Sequence, residues 1–289
     1  MNKKIEKVYF WPTWFYHDQL EIKNKINKSV LLSLGRANLD LWQALNIYDD
    51  FLDQEGCPAN LPLGNKHYRN FLTAYYELPL PAAFYNIFRQ ILDNLDRANR
   101  REVLHYRGHL KDEKITYPKR LPSWRNIENL SDKSLALALG AIALICLSGG
   151  HKKNQINKKN KIAATVNFFR QALTAKQLAD DACDWREDLS KGRLTPANAL
   201  IIKAARKKNL VLDFKKDSVQ ANLLFISEAS LKISNQIYKS CQKARRAARQ
   251  AGLKTDGYLI GNIVKPLERA VEETIEFRSL LATGLIKML

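Results

Sequence analysis

Cysteine is scarce in this chain and cannot staple it. Its 4 cysteines, Cys57, Cys146, Cys183 and Cys241, are scattered with no metal-ligand spacing. That excludes a disulfide scaffold or a cysteine zinc site and fits reduced thiols in a cytosolic protein. Glycine and proline are sparse, 12 and 9 in 289 residues, which excludes a collagen-like or low-complexity chain. The helix formers Leu, Ala, Lys and Arg abound instead, so the expected fold class is all-α. Acidic residues are outnumbered, 29 Asp and Glu against 47 Lys and Arg, for a net charge of +18. The longest apolar run, residues 135–147, falls short of the ~20 residues a bilayer-spanning helix needs. It reads as a helix buried on all sides, with Gly140 allowing close approach. The start, MNKKIEKVYFWPTWF, is charged, is interrupted by Pro12 and has no small-residue cleavage site, so no signal peptide is expected. The 5 histidines are dispersed, and His105 and His109, though i, i+4, lack the glutamate of an HExxH metal site.

With 46% hydrophobic residues there is material for a large core. The length suits one large domain or two small ones, and a single domain over 1–289 is expected. Residues 1–25 read as an irregular, aromatic-rich cover. Lysines concentrate in HKKNQINKKNK (151–161), a polar run with no apolar face that reads as a basic loop over 150–161. A second cluster, KARRAAR (243–249), lies in a helical stretch. Such a charge balance suits nucleic acid, an anionic membrane surface or phosphorylated substrates. Neither cluster carries interleaved aromatics, so nucleic acid is not the expected partner. A cytoplasmic protein with peripheral contact to the anionic inner membrane surface is the alternative.

Helical patterns are expected over 28–53, 68–76, 82–104 and 130–148, with loops at 57–66 and 107–126. One long helix is expected over 162–189, closed by Gly192 and Pro196. Further helices follow over 197–208, 218–251 and 255–289.

Two of these helices carry acidic clusters. In QLADDACDWREDLSKGR (177–193), Asp180, Asp184 and Asp188 stand at i, i+4 and i+8. Each step of four rotates a helix by only about 40°, so all three share one face. Like charges at this spacing destabilise a bare helix. A helix that binds Mg²⁺ has a use for them, because hard cations take carboxylate oxygens. The other reading is a solvated acidic face compensated by Lys176, Arg186 and Lys191. In the helix over 28–53, Asp49 and Asp53 are i, i+4, with Asp50 beside Asp53. Trp42 and Leu45 precede Asp49 on the same face, where they either wall a cavity or pack in the core. Two carboxylate helices with excess cations and apolar surroundings suit departure of a diphosphate group.

These stretches resemble a known family. Asp49-Asp50-Phe51-Leu52-Asp53 looks like the DDxxD motif of class I isoprenoid synthases. Gln177 through Asp184 is similar to the QxxDDxxD motif of trans-prenyl diphosphate synthases. Extended through Glu187-Asp188 and Gly192-Arg193, it looks most like the second motif of squalene and phytoene synthases, with Asp180 in the place of an Asn. The resemblance implies a single-domain helical bundle around a central apolar cavity and a prenyl diphosphate bound through three Mg²⁺ ions. It implies Asp49, Asp50, Asp53, Asp180, Asp184 and Asp188 as metal ligands, with Asp49, Asp53, Asp180 and Asp184 catalytic. Gln177, Arg193, Lys191 and Arg107 are the candidate substrate ligands. The alternative reading of Gln177 is a surface residue, and that of Arg193 and Lys191 is helix C-terminal caps.

Departures from the family are visible as well. Gln54-Glu55-Gly56-Cys57-Pro58 follows the first motif where chain-elongating synthases carry paired arginines. Asn46-Ile47-Tyr48 precedes it where squalene and phytoene synthases carry an arginine. The expected activity is a Mg²⁺-dependent condensation of two prenyl diphosphates by a monomer or homodimer, with NADPH not indicated. The alternatives are a terpene synthase acting on one diphosphate and a non-catalytic binder of prenyl lipids or membrane surfaces.

Overall fold

The computed structural model describes residues 7–19, 22, 26–111, 114–116, 121–148, 155–210 and 219–282. Among these the chain is all-α apart from one short hairpin. It divides into two compact units: Met1–Asn99, Asp132–Arg170 and Ala244–Asn262 form the first, and Arg100–Ser131, Gln171–Lys243 and Ile263–Leu289 form the second.

The first unit contains α1 (Trp11–Asp18), α2 (Lys28–Leu52), α3 (Leu61–Tyr76), α5 (Leu139–Leu147) and the beginnings of α4 (Ala82–His105) and α6 (Gln155–Cys183). α2 starts where the Asn27 side chain accepts a hydrogen bond from the Ser29 amide at 3.1 Å, satisfying one of the orphan donors of the first turn. It stops at Asp53, after which Gln54 turns left-handed with φ of 63°. Leu31, Leu34, Ala37, Leu41 and Ala44 form its buried stripe at helical spacing, and it packs along α3. Phe71 of α3 stacks on Phe88 of α4, and Tyr75 on Phe84, each pair with centroids 5.6 Å apart. All four rings are buried, and truncating such a ring to alanine costs about 3–5 kcal/mol. α5 is buried on every side from Leu139 to Cys146. At Gly140 a Cβ would come within 2.7 Å of Pro12 Cγ, so glycine is what lets α1 lie against α5, as the sequence indicates.

The second unit takes the end of α4 and a hairpin of β1 (His109–Lys111) with β2 (Lys114–Thr116). The rest of α6, then α7 (Trp185–Ser190), α8 (Pro196–Lys207) and α9 (Val219–Leu224), follow. A π-helical turn, Phe225–Ser230, leads into α10 (Leu231–Gln250), whose end from Ala244 onward belongs to the first unit, and a second, Ile260–Val264, leads into α11 (Lys265–Ala282). Thr195 caps α8, its hydroxyl accepting from the Asn198 amide at 3.3 Å, and Pro196 sits in the first turn, where no amide is needed. Trp185 stacks on Phe225 with centroids 5.1 Å apart. Arg278 of α11 donates to the Ile226 carbonyl and to Ser230 Oγ, partnering polar groups of the first π turn.

Several expected boundaries move. The N-terminal cover is not irregular over 11–18: Pro12 opens α1 rather than breaking it. Likewise Pro62 opens α3, so most of the expected 57–66 loop is helix. The expected 107–126 loop contains the hairpin and the start of a 3₁₀ stretch, Trp124–Lys133. The expected basic loop is helical from Gln155 onward, because Lys and Gln are good helix formers even where there is no apolar face. Its residues 150–154, and 1–6, 20, 21 and 23–25 of the expected cover, lie outside the described residues, as does the end of the apolar tail, 283–289. No single described helix is long and apolar enough to cross a membrane.

The N-terminal segment is tied to the chain beyond α10. Asp18 is buried, and its carboxylate accepts from the Tyr258 and Leu259 amides at 2.9 and 2.8 Å. Gln19 bridges to Leu253 and donates to the Ala251 carbonyl. Asp18→Ala leaves two amides without an acceptor and is expected to cost about 1–2 kcal/mol, read as a lower denaturation midpoint. Burial also pushes the Asp18 carboxyl above its ordinary value, against the opposing pull of those amides, Lys254 and His17. The folded state thus holds this proton more tightly than the unfolded chain. Asp18's contribution is full below the unfolded pKa and declines as pH rises through the folded one. The stability gap between wild type and Asp18→Ala should narrow as pH leaves the acidic range, and a widening gap would contradict this.

Candidate active site

The first acidic cluster ends α2. Asp49 is half exposed, and its Oδ1 accepts from Lys133 Nζ at 3.0 Å. Asp50 is exposed, and Asp53 is the C-cap, its amide donating to the Asp49 carbonyl at 2.8 Å. A helix C-terminus carries partial negative charge, so carboxylates there are disfavoured unless a cation offsets them. Lys133 supplies one. Sequence reasoning missed it, since Lys133 lies far from Asp49 along the chain and belongs to no motif. Trp42 and Leu45 are half-buried on the preceding turns. A groove of about 410 Å³ in this unit, lined by residues such as Leu32, Arg36, Asp40 and Glu77, includes neither Trp42 nor Leu45.

The second cluster lies at the junction of α6 and α7. The expected single helix breaks at Asp184, whose backbone (φ −97°, ψ 8°) leaves helical geometry. Hydrogen bonding nevertheless runs through the break: the Asp184 amide donates to the Asp180 carbonyl and the Asp188 amide to the Asp184 carbonyl, both at 2.9 Å. The three aspartates therefore keep their one-turn register. Asp184 is exposed and, although it is the N-cap of α7, its carboxylate makes no capping bond. Asp180 pairs with Lys176, as the solvated-face reading has it. Asp188 is more enclosed, its side chain 14% exposed. Cys183, between them, has its thiol pushed up by burial and then by the carboxylates of Asp184 and Asp180. Gln177 donates to buried Asp181 at 2.9 Å, and Lys191 to Glu187 at 2.6 Å.

Two candidate substrate ligands are brought together. Gly108 N donates to Gly192 O at 2.6 Å, and Leu194 N to Tyr106 O at 2.9 Å, making Arg107 and Arg193 an isolated antiparallel bridge pair. In this pattern the pair itself is not hydrogen-bonded, the Cα atoms lie about 4.5 Å apart, and both side chains leave from one face. Arg107 Nη2 is 2.8 Å from Glu102 Oε1, and Arg193 Nη1 is 3.8 Å from Asp188 Oδ1. Both guanidinium side chains are 18% exposed. Like charges directly opposite each other are unfavourable unless anions offset them. Glu102 and Asp188 do so here, and an incoming phosphate would do so further. Gly192 makes the pairing feasible: its φ is +72°, and a Cβ would sit 3.3 Å from Gly108 O.

Among the described residues no three His, Cys, Asp or Glu side chains converge on a single metal position. Mg²⁺ needs no such cage, since it keeps waters and is bound through one or two carboxylates plus substrate phosphates. The carboxylate oxygens of Asp49 and Asp53, and of Asp180, Asp184 and Asp188, fit that donor chemistry.

No family model matches this chain, and no curated protein matches it. Six chains of solved structures do. One is the geranylgeranyl pyrophosphate synthetase of the archaeon Geoglobus acetivorans, with a TM-score of 0.55 over 95% of this chain and 94% of that one, at 14% identity. The chain thus has the helical-bundle fold of a geranylgeranyl pyrophosphate synthase, the class I isoprenoid synthase fold. At that identity the likeness is one of fold.

Gly192→Ala is expected to destabilise the protein by about 1–2 kcal/mol, because a side chain is strained at positive φ. Chemical denaturation measures this, and an unchanged midpoint would contradict the described pairing of 106–108 with 192–194.

Proposed function

We propose that this protein is a Mg²⁺-dependent enzyme that ionises allylic prenyl diphosphates and condenses two of them, as squalene and phytoene synthases do. The observation that carries the reading is the 177–193 stretch. It combines an aspartate series in hydrogen-bonded register with an arginine, Arg193, set beside Arg107 on one face. The fold likeness supports prenyl diphosphate chemistry, and the extended second motif supports condensation over other outcomes.

In this reading Asp49, Asp50 and Asp53 on α2, and Asp180, Asp184 and Asp188 at the α6–α7 junction, hold Mg²⁺. The metal supplies Lewis-acid neutralisation of the diphosphate charge. Arg107 and Arg193 donate to phosphate oxygens as the leaving group takes on charge. Asp188 and Glu102 are positioning residues that aim the two guanidinium groups. Gln177 acts through Asp181, and Lys191 adds a mobile cation. Trp42 and Leu45 exclude water from the hydrocarbon chain. The allylic C–O bond breaks with its electron pair leaving on the diphosphate. The resulting cation adds to the double bond of a second prenyl diphosphate, and loss of a proton gives a product with twice the carbons that still carries one diphosphate. Breaking its remaining C–O bond, with the electron pair leaving on the second diphosphate, and loss of a second proton give the hydrocarbon.

Incubation with radiolabelled farnesyl or geranylgeranyl diphosphate and Mg²⁺ should give a hydrocarbon product with twice the carbons of the substrate. A product that keeps the substrate's carbon number would refute condensation and leave one-substrate terpene synthesis. Asp184→Ala is expected to lower turnover by on the order of 10²–10³-fold with little change in melting temperature, since its carboxylate is exposed and makes no capping bond. Full activity in this variant would overturn the metal assignment.

A further inference from the structure

Two basic runs that are distant in sequence adjoin in the first unit. α6 opens with Ile156, Lys158, Lys159 and Lys161, and α10 closes with Arg245, Arg246 and Arg249, with Lys254 after it. A Cβ on Gly252, just beyond α10, would lie 3.7 Å from Lys161 Cε, which places the start of α6 against the end of α10. Residues 155–179 and 229–255 contain no Asp or Glu. Among the described residues, Asp256, which follows α10, is exposed, and the oxygens of Asp18 accept from the Tyr258 and Leu259 amides. Lys158 donates to the Cys146 carbonyl at 2.9 Å and is occupied. Lys159, Arg246, Arg249 and Lys254 are exposed.

We propose that this face docks the protein on an anionic lipid bilayer. Charge complementarity selects an anionic partner, and the apolar residues at the same end select a bilayer. Ile156 is 79% exposed among the lysines, and Tyr258, a turn beyond Lys254, is 56% exposed. An aliphatic side chain has no stacking use on nucleic acid, whereas it inserts at the headgroup boundary of a membrane while lysines and arginines meet lipid phosphates. Tyrosine is at home at the same depth. None of these residues belongs to the aspartate clusters or to the Arg107–Arg193 pair, so docking stands or falls separately from the proposed chemistry.

Co-sedimentation of the full chain with vesicles tests this. Binding is expected to vesicles of phosphatidylcholine with added phosphatidylserine and not to phosphatidylcholine alone, and to weaken with salt. Each exposed cation neutralised should weaken it about 5-fold, so Lys159→Gln, Arg246→Gln and Arg249→Gln together should weaken it roughly 100-fold. Ile156→Ser should weaken binding at every salt concentration. These substitutions are at exposed positions, and an unchanged thermal melt would confirm that folding is intact. The proposal is overturned if the triple variant binds as wild type does or if neutral vesicles bind equally well. It is also overturned if single-stranded DNA is bound more tightly than the anionic vesicles at the same salt.

Discussion

Electrostatic repulsion within an aspartate series is the constraint on which the account of this protein depends. Asp180, Asp184 and Asp188 are carried on backbone positions linked by successive hydrogen bonds, so the chain cannot spread them without breaking that ladder. Like charges at this spacing cost a helix several tenths of a kcal/mol per pair, and a second set sits at the unfavourable end of α2. Some of the cost is offset locally, by Lys176 on Asp180, Arg193 near Asp188 and Lys133 on Asp49. Asp184 and Asp50 stay exposed. In the proposed function this charge serves hard cations, which take carboxylate oxygens and substrate phosphates as ligands.

The cationic counterpart depends on backbone geometry. Arg107 follows the end of a long helix, and Arg193 follows the short helix that carries Asp188. A left-handed glycine lets the two segments pair, and the pairing sets both guanidinium groups on one face. Asp188 then has two roles, as a member of the acidic series and as the neighbour of Arg193. In the proposed function, substitution at Asp188 bears on both metal and phosphate binding, whereas substitution at Glu102 bears on phosphate binding alone.

Much of this was legible in the sequence. The helix from Lys28 to Leu52 follows from the Asn27 cap, the apolar spacing and the stop near Gly56, and the buried run over 135–147 follows from its composition. The acidic series and its shared face are readable from spacing alone. The break at Asp184 was not, because hydrogen bonds four residues apart continue through it and the periodicity is unbroken. Pro12 and Pro62 were misleading, since proline signals a helix start as readily as a stop. The lysine- and asparagine-rich run near 155–161 has no apolar face, so its helix is invisible to periodicity. Lys133 on Asp49, and Arg107 opposite Arg193, are tertiary pairings between distant segments, and no local pattern announces them.

The central proposal is that each aspartate cluster binds Mg²⁺ together with diphosphate. Calorimetric titration of Mg²⁺ with and without inorganic diphosphate tests it without requiring the natural substrate. Diphosphate should strengthen Mg²⁺ binding, and Asp49→Asn and Asp184→Asn should each weaken the diphosphate-dependent part by about tenfold or more. Diphosphate-dependent Mg²⁺ binding that survives undiminished in either variant would contradict the account.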